Sequence, residues 1–164
     1  MEEQKEIVIV RDFAPGDEEA IINIHSACKQ WFEEVEITAD FLAEISKRPD
    51  FRLYVAVCQG SVVGFAGILY YLSVGRAELG PIGIDPPFES KGVGSRLASE
   101  AIEFLSEQGI HRLVVRVKEG NERAKEFFRK LGFTGEALLK KYTKKKETVY
   151  QMVYFSNTSE SDNK

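Results

Sequence analysis

Apolar positions recur along this chain in two periods, and the switches between them mark its elements. Glu6–Arg11 reads as a strand, and Arg52–Val57 and Val62–Tyr71 read as a hairpin turning at Gln59-Gly60. Helical spacing begins after Asp17, a candidate cap, with Ile21, Ile24, Cys28 and Trp31 as the apolar stripe. Thr38 caps a shorter helix through Phe41, Leu42 and Ile45, closed before Pro49. Leu79–Asp85 is a strand in which Pro81 removes one ladder donor. Val93–Glu107 follows as a helix with Val93, Leu97, Ala101 and Leu105 inward. Leu113–Val117 is the next strand. Asn121 then caps a helix whose Ala124, Phe127, Phe128 and Leu131 share a face, ended by Gly132. Phe133–Leu138 and Thr148–Phe155 form a closing antiparallel pair. This alternation predicts an α/β fold with a mixed, mostly antiparallel central sheet flanked by about four helices. Residues 1–155 form one domain in this reading, and the polar run 156–164 is a disordered tail.

The turn between Asp85 and Val93 carries the first chemical signal. Gly92 and Gly94 open a helix, whose first N–H groups lack partners and whose dipole favours anions. Glycines there let backbone donors approach phosphate oxygens. A P-loop is excluded, because G-x-x-x-x-G-K-[ST] does not occur. A dinucleotide fingerprint is excluded as well. Leu97 stands at its third glycine position, and the strand ends several residues too early.

The net charge of −4 argues against a general nucleic-acid binder. Lys140, Lys141, Lys144, Lys145 and Lys146 read as a solvated hairpin. Cys28 and Cys58 have no metal or C-x-x-C spacing, and neither His25 nor His111 clusters with them, so no metal is expected. Reduced thiols, no signal sequence and no membrane-length apolar run place the chain in the cytoplasm, away from membranes. A homodimer is left open.

Glu89-Ser90-Lys91-Gly92-Val93-Gly94, followed by the Asn121–Phe133 helix, resembles the paired signature of the GNAT acetyltransferase superfamily. That signature is [Q/R]-x-x-G-x-[G/A], then N-x-x-A-x-x-F-Y-x-K-x-G-F about 25–30 residues on. Leu53–Leu69 is similar to the family's central hairpin. The resemblance implies a GNAT-type domain that binds acetyl-CoA and moves its acetyl group to a primary amine by direct attack. Ile82, Gly83 and Ile84 would pair with the pantetheine arm, with nearby N–H groups holding the oxyanion. Ser90, Lys91, Gly92, Val93, Gly94 and Ser95 would hold the pyrophosphate. Asn121 would contact the pantetheine or the thioester end, and Phe128 would lie near the thioester sulfur.

Two positions depart from the pattern. Glu89 replaces Arg or Gln, and a carboxylate about 8 Å from pyrophosphate costs about 2 kcal/mol at an effective dielectric near 20. Lys91 is the expected compensation. Phe128 replaces the tyrosine thought to protonate the departing thiolate. Glu78 is the candidate base, through water, against a solvent-side strand residue or a salt bridge to Arg76 as the plain alternatives. Tyr142 and Tyr150 are candidate replacement hydroxyls, and Tyr142 is the preferred one. Trp31–Thr38 and Lys140–Tyr150 would line the acceptor cleft, with Glu33, Glu34 and Glu36 drawing in a cation. Tyr142-x4-Glu147-x2-Tyr150-x-Met152 is similar to ribosomal-protein-alanine acetyltransferases. The acceptor is thus a peptide or protein N-terminus or a small amine. A non-catalytic acyl-CoA-binding module is the alternative from another class.

Overall fold

The computed structural model describes residues 7–32 and 36–156. In chain order its elements are β1 (Val8–Asp12), α1 (Glu18–Ala27), α2 (Ala39–Ile45), β2 (Phe51–Cys58) and β3 (Ser61–Tyr71). Then follow β4 (Arg76–Ile84), α3 (Val93–Glu107), β5 (Arg112–Lys118), α4 (Glu122–Lys130), β6 (Thr134–Leu139) and β7 (Val149–Phe155). One seven-stranded sheet runs β1-β2-β3-β4-β5-β7-β6. Only β4 and β5 are parallel, joined by the α3 crossover; every other neighbouring pair is antiparallel.

Each face of the sheet buries a helical layer. Val93, Leu97, Ala101 and Leu105 of α3 sink against Ala66, Ile68, Ala77, Leu79 and Leu113. Phe128 and Phe133 extend that core across β5 and β7. Ile21, Ile24 and Leu42 of α1 and α2 pack on Leu53, Val55 and Phe65 of the opposite face. Leu97 is fully buried, so Leu97→Ala would cost about 2–5 kcal/mol.

Two caps decide where the lesser helices start. Thr38 accepts the Phe41 N–H at 3.1 Å and starts α2 as its spacing predicts. Asp17 does not cap α1 with its side chain. Its carboxylate faces backwards, taking two hydrogen bonds from the Arg11 guanidinium and one from the Ala14 N–H. This forked ion pair outcompetes a cap because both arginine donors fit one carboxylate. The predicted α1 stripe also runs too far. The helix closes at Ala27, and a single 3-10 turn, Lys29–Trp31, re-aims Trp31 until it is 44% exposed. His25 completes the buried face instead, its ring stacked on Phe32 at 4.5 Å.

The middle of β4 is irregular. Ile68 pairs with Leu79 and Ala66 with Ile82, so Gly67 alone opposes Gly80 and Pro81. This two-against-one bulge bends the strand. β4 and β5 pair only from Arg76↔Arg112 to Leu79↔Val115. Beyond that point β4 stays with β3, whereas β5 continues along β7 to Lys118↔Val149. The two parallel strands therefore diverge, and the sheet has a wedge-shaped opening at its centre.

At the C-terminal end, Ser156 is anchored, bonding His111 O and Ile110 O, so the expected disordered tail does not begin there. The rest of that tail lies outside the described residues, as do Glu6, Glu33 and Glu34.

Candidate active site

The wedge exposes one side of the β4 backbone. Ile82, Gly83 and Ile84 pair with Ala66, Phe65 and Gly64 of β3, and among the described residues no strand covers their other edge. A Cβ at Gly83 would stand 2.8 Å from Cε1 of Phe65. Gly83 is thus required by packing against the neighbouring ring. Cys28 reaches this strand end and donates its S–H to Ile84 O at 3.5 Å. Burial pushes the Cys28 thiol above its ordinary value, and the carboxylates of Glu89 and Asp85 add to the shift.

Below the strand, the chain turns through Ser90 (φ 65°) and Gly92 (φ 84°) into α3. Arg96 is the first residue whose N–H closes a helical bond, to Gly92 O. The N–H groups of Val93, Gly94 and Ser95 precede that bond, and no acidic side chain lies in the first turn. Gly92 is glycine for its left-handed backbone, since a Cβ there would meet nothing within 4 Å. Gly94 has a different reason: a Cβ would lie 3.1 Å from Cζ of Phe127. The missing side chain at Gly94 therefore serves the α3–α4 contact as well as the loop.

Glu89 finds its compensation on α4. Arg123 Nη1 meets the Glu89 carboxylate at 2.6 Å, and Nη2 donates to Ser90 Oγ at 2.8 Å. Lys91, the expected partner, instead stands 5.5 Å above the Phe88 ring. Asn121 caps α4 as predicted, accepting the Ala124 N–H at 3.2 Å. Phe128 is buried, edge-on to Phe127 at 5.0 Å and Phe133 at 5.2 Å.

On the other face of the wedge lies a cavity of about 280 Å³. Its floor is Glu78, Gly80, Pro81, Val114 and Arg116, and its walls are aromatic and aliphatic side chains from α1 through β3. Glu78 pairs with Arg116 at 3.1 Å and not with Arg76, whose guanidinium lies over the Tyr71 ring. The parallel register explains the choice. Glu78 is level with Val114, so Arg116 is two residues further along the same face of β5. Arg116 also donates to Gln151 Oε1 and stands 5.5 Å from the Tyr142 ring centre. Glu78, Arg116 and Tyr142 thus form one cluster. Tyr150 is apart from it, beneath the Lys125 ammonium. Lys118 closes one end of the cavity, donating to Gln30 O at 3.0 Å and pairing with Glu147 at 3.3 Å.

Sequence reading missed Arg116, Arg123 and Lys118. Period-two alternation puts Arg112, Val114, Arg116 and Lys118 on one face of β5. That basic line in an otherwise apolar strand was the available signal. Nothing local announces Arg123, whose partners lie 33 and 34 residues away.

A sequence model described as the acetyltransferase (GNAT) family matches residues 18–133. A mycothiol acetyltransferase of Amycolatopsis mediterranei is 27% identical over 139 residues, covering 77% of this chain and 46% of its own. The spermidine N(1)-acetyltransferase of Escherichia coli K12 is 29% identical over 123 residues, covering 71% and 66%. The chain thus spans about half to two thirds of the length of these curated relatives. Among solved structures, Ard1 from Thermoplasma volcanium superposes with a TM-score of 0.79 at 27% identity, over 90% of this chain and 97% of that one.

Proposed function

The chain belongs to the acetyltransferase (GNAT) family, and from that premise we propose that it is an acetyl-CoA-dependent N-acetyltransferase. Its acceptor in this reading is a primary amine, with the α-amino group of a peptide or protein as the leading case. The observation that carries the proposal is the open edge of β4, running into a helix N-terminus free of acidic side chains. An amide-bearing arm can add to such an edge as a strand would, and a pyrophosphate suits such a helix end.

When bound, acetyl-CoA supplies the acetyl thioester; the chain supplies position and charge. Ile82, Gly83 and Ile84 flank the arm. The N–H groups from Lys91 to Ser95 face the pyrophosphate, with Ser90 beside them and Asn121 towards the pantetheine or thioester end. Glu78 stands on the acceptor side of the wedge, where its carboxylate can hold an ammonium and pass a proton to water. Arg116 keeps it oriented and stacks against the Tyr142 ring in the same cluster. Phe128 has no proton to give. A thiol with pKa about 8.5 is a tolerable leaving group without one. Such modest acid–base equipment favours amines of low pKa. An α-amino group near 8 is neutral about once in ten at pH 7, a lysine about once in 2,500.

Calorimetric titration with CoA, then CoA release from acetyl-CoA in the presence of peptides and small amines, tests the proposal. Glu78→Gln should lower kcat about 10²-fold and leave CoA affinity unchanged. Failure to bind CoA overturns the reading. Binding without turnover of any amine reduces the chain to an acyl-CoA-binding module, the role that Phe128 would suit.

A further inference from the structure

The cavity beside Glu78 has a composition that selects among amines. Trp31, Phe32, Ile37, Leu42, Phe51 and Leu53 give it an apolar, aromatic wall. Its volume of about 280 Å³ is near the lower end for small-molecule sites, at roughly 300 Å³. Among the described residues, the charged groups lining it are Glu78, Arg48, Arg116 and Lys118. The carboxylates that pair with Arg48 and Lys118, those of Asp50 and Glu147, are not in the lining. Among the described residues, the interior therefore presents one carboxylate, three cations that are each paired with a carboxylate, and an apolar wall. A polyamine would bring a second positive charge for which the described lining offers no second carboxylate. An uncharged apolar group would meet no such mismatch.

Glu78 and Arg116 form an ion pair at the floor, 3.1 Å apart. The α-carbon of an amino acid also carries an adjacent donor and acceptor: an ammonium, and an oxygen that belongs to a carboxylate in the free amino acid and to a neutral carbonyl in a peptide. Resting on this pair, it would set its ammonium on Glu78 and its oxygen on Arg116, giving each member of the pair a partner. Its side chain would then point to the apolar wall.

We propose, resting on the acetyltransferase reading above, that the acceptor is the α-amino group of a residue with a large apolar side chain, held by the Glu78–Arg116 pair with that side chain in the cavity. The same chemistry is offered by a free amino acid and by a peptide N-terminus. The acetylation step would join the amine nitrogen to the acetyl carbonyl carbon as the carbon–sulfur bond breaks. The bound ammonium first gives one proton to Glu78 or water, which frees the lone pair that attacks; the second N–H proton passes to water as the amide forms, and the thiolate leaves with the bonding pair.

The test measures CoA release by the full chain with L-phenylalanine, L-alanine, phenethylamine, spermidine, and tripeptides beginning with Phe or Ala. Phe acceptors should exceed their Ala counterparts in kcat/KM by about 10-fold or more. Phenylalanine should likewise exceed phenethylamine, which lacks the oxygen for Arg116. Arg116→Gln should compress that second ratio towards one, and Arg116→Lys should restore part of it, with CoA titration confirming that both variants fold. The better of free amino acid and tripeptide identifies the source. Equal rates for Phe and Ala acceptors, or preference for spermidine, would overturn this inference and leave the acetyltransferase reading standing. Bound CoA with no amine acetylated would overturn both.

Discussion

Gly92 offers the cleanest perturbation of the proposed anion-binding loop, because backbone and packing effects separate there. Its φ of 84° and ψ of 4° lie in the left-handed region, and an added Cβ would meet no atom within 4 Å. Gly92→Ala thus changes backbone preference with no clash. A non-glycine residue in that conformation costs about 1–2 kcal/mol. For a chain of 164 residues, that corresponds to about 2–8 °C in melting temperature. If the loop relaxes instead, the N–H groups of Val93, Gly94 and Ser95 lose their common direction. Each charge-assisted hydrogen bond to a pyrophosphate is worth about 1.5–3 kcal/mol, so losing one weakens CoA by roughly 10- to 100-fold. Asparagine tolerates the left-handed region better than alanine. Calorimetry should therefore rank CoA affinity as wild type, then Gly92→Asn, then Gly92→Ala. Gly94→Val is the poorer probe, since Phe127 lies 3.1 Å from the new Cβ. Undiminished CoA affinity in Gly92→Ala together with an unlowered melting temperature, so that neither cost appears, would refute the reasoning that the left-handed backbone of Gly92 shapes the anion site.

Arg123→Ala leaves the Glu89 carboxylate unpaired beside the loop. The KM for acetyl-CoA should rise several-fold at low salt and less at high salt, and adding Glu89→Gln should reverse the rise. A salt-independent KM in the single variant would show that Glu89 does not face the cofactor. Arg11 and the Ala14 N–H hold the Asp17 carboxyl below its ordinary value. A depressed folded-state pKa adds stability above the ordinary carboxylate pKa, and that stability is lost as pH falls through the depressed one. Asp17→Asn should therefore shrink the melting-temperature difference between pH 7 and pH 3; an unchanged difference removes Asp17 from the acid response. Cys28 sits against Ile84 O and near Glu89, so saturating CoA should slow its alkylation, followed by intact mass, at least several-fold. Equal rates with and without CoA would place the bound arm elsewhere.

Local signals carried far in this chain. The bounds of α3 agree with the sequence reading because Gly92 and the Val93, Leu97, Ala101, Leu105 stripe both depend on neighbours a few residues away. Asn121 and Thr38 cap their helices for the same reason. Asp17 failed as a cap because Arg11, six residues earlier, offered a forked partner that propensity does not weigh. Trp31 left the predicted stripe because α1 ended a turn before it. The site was legible where it is built from one segment, as in the loop before α3. It was illegible where two strands or a loop and a helix meet. Glu78 and Arg116 are 38 positions apart, and only the parallel register of β4 on β5 makes them partners.

The extra residue in β4 also acts as a parity switch. Before it, odd positions face α3: Ala77 and Leu79 are in that core while Glu78 faces the cavity. After it, even positions do so: Ile82 and Ile84 pack against the α3 side, and Gly83 turns to Phe65. One strand thereby carries two independent alternation frames, one for each half of the wedge. Losing a single residue at Gly80-Pro81 would merge the frames, rotating two isoleucines onto Phe65 and leaving a glycine beneath α3. The length of this strand is consequently under tighter constraint than the identity of most of its residues, and a one-residue deletion there should be more damaging than any single substitution in the same stretch.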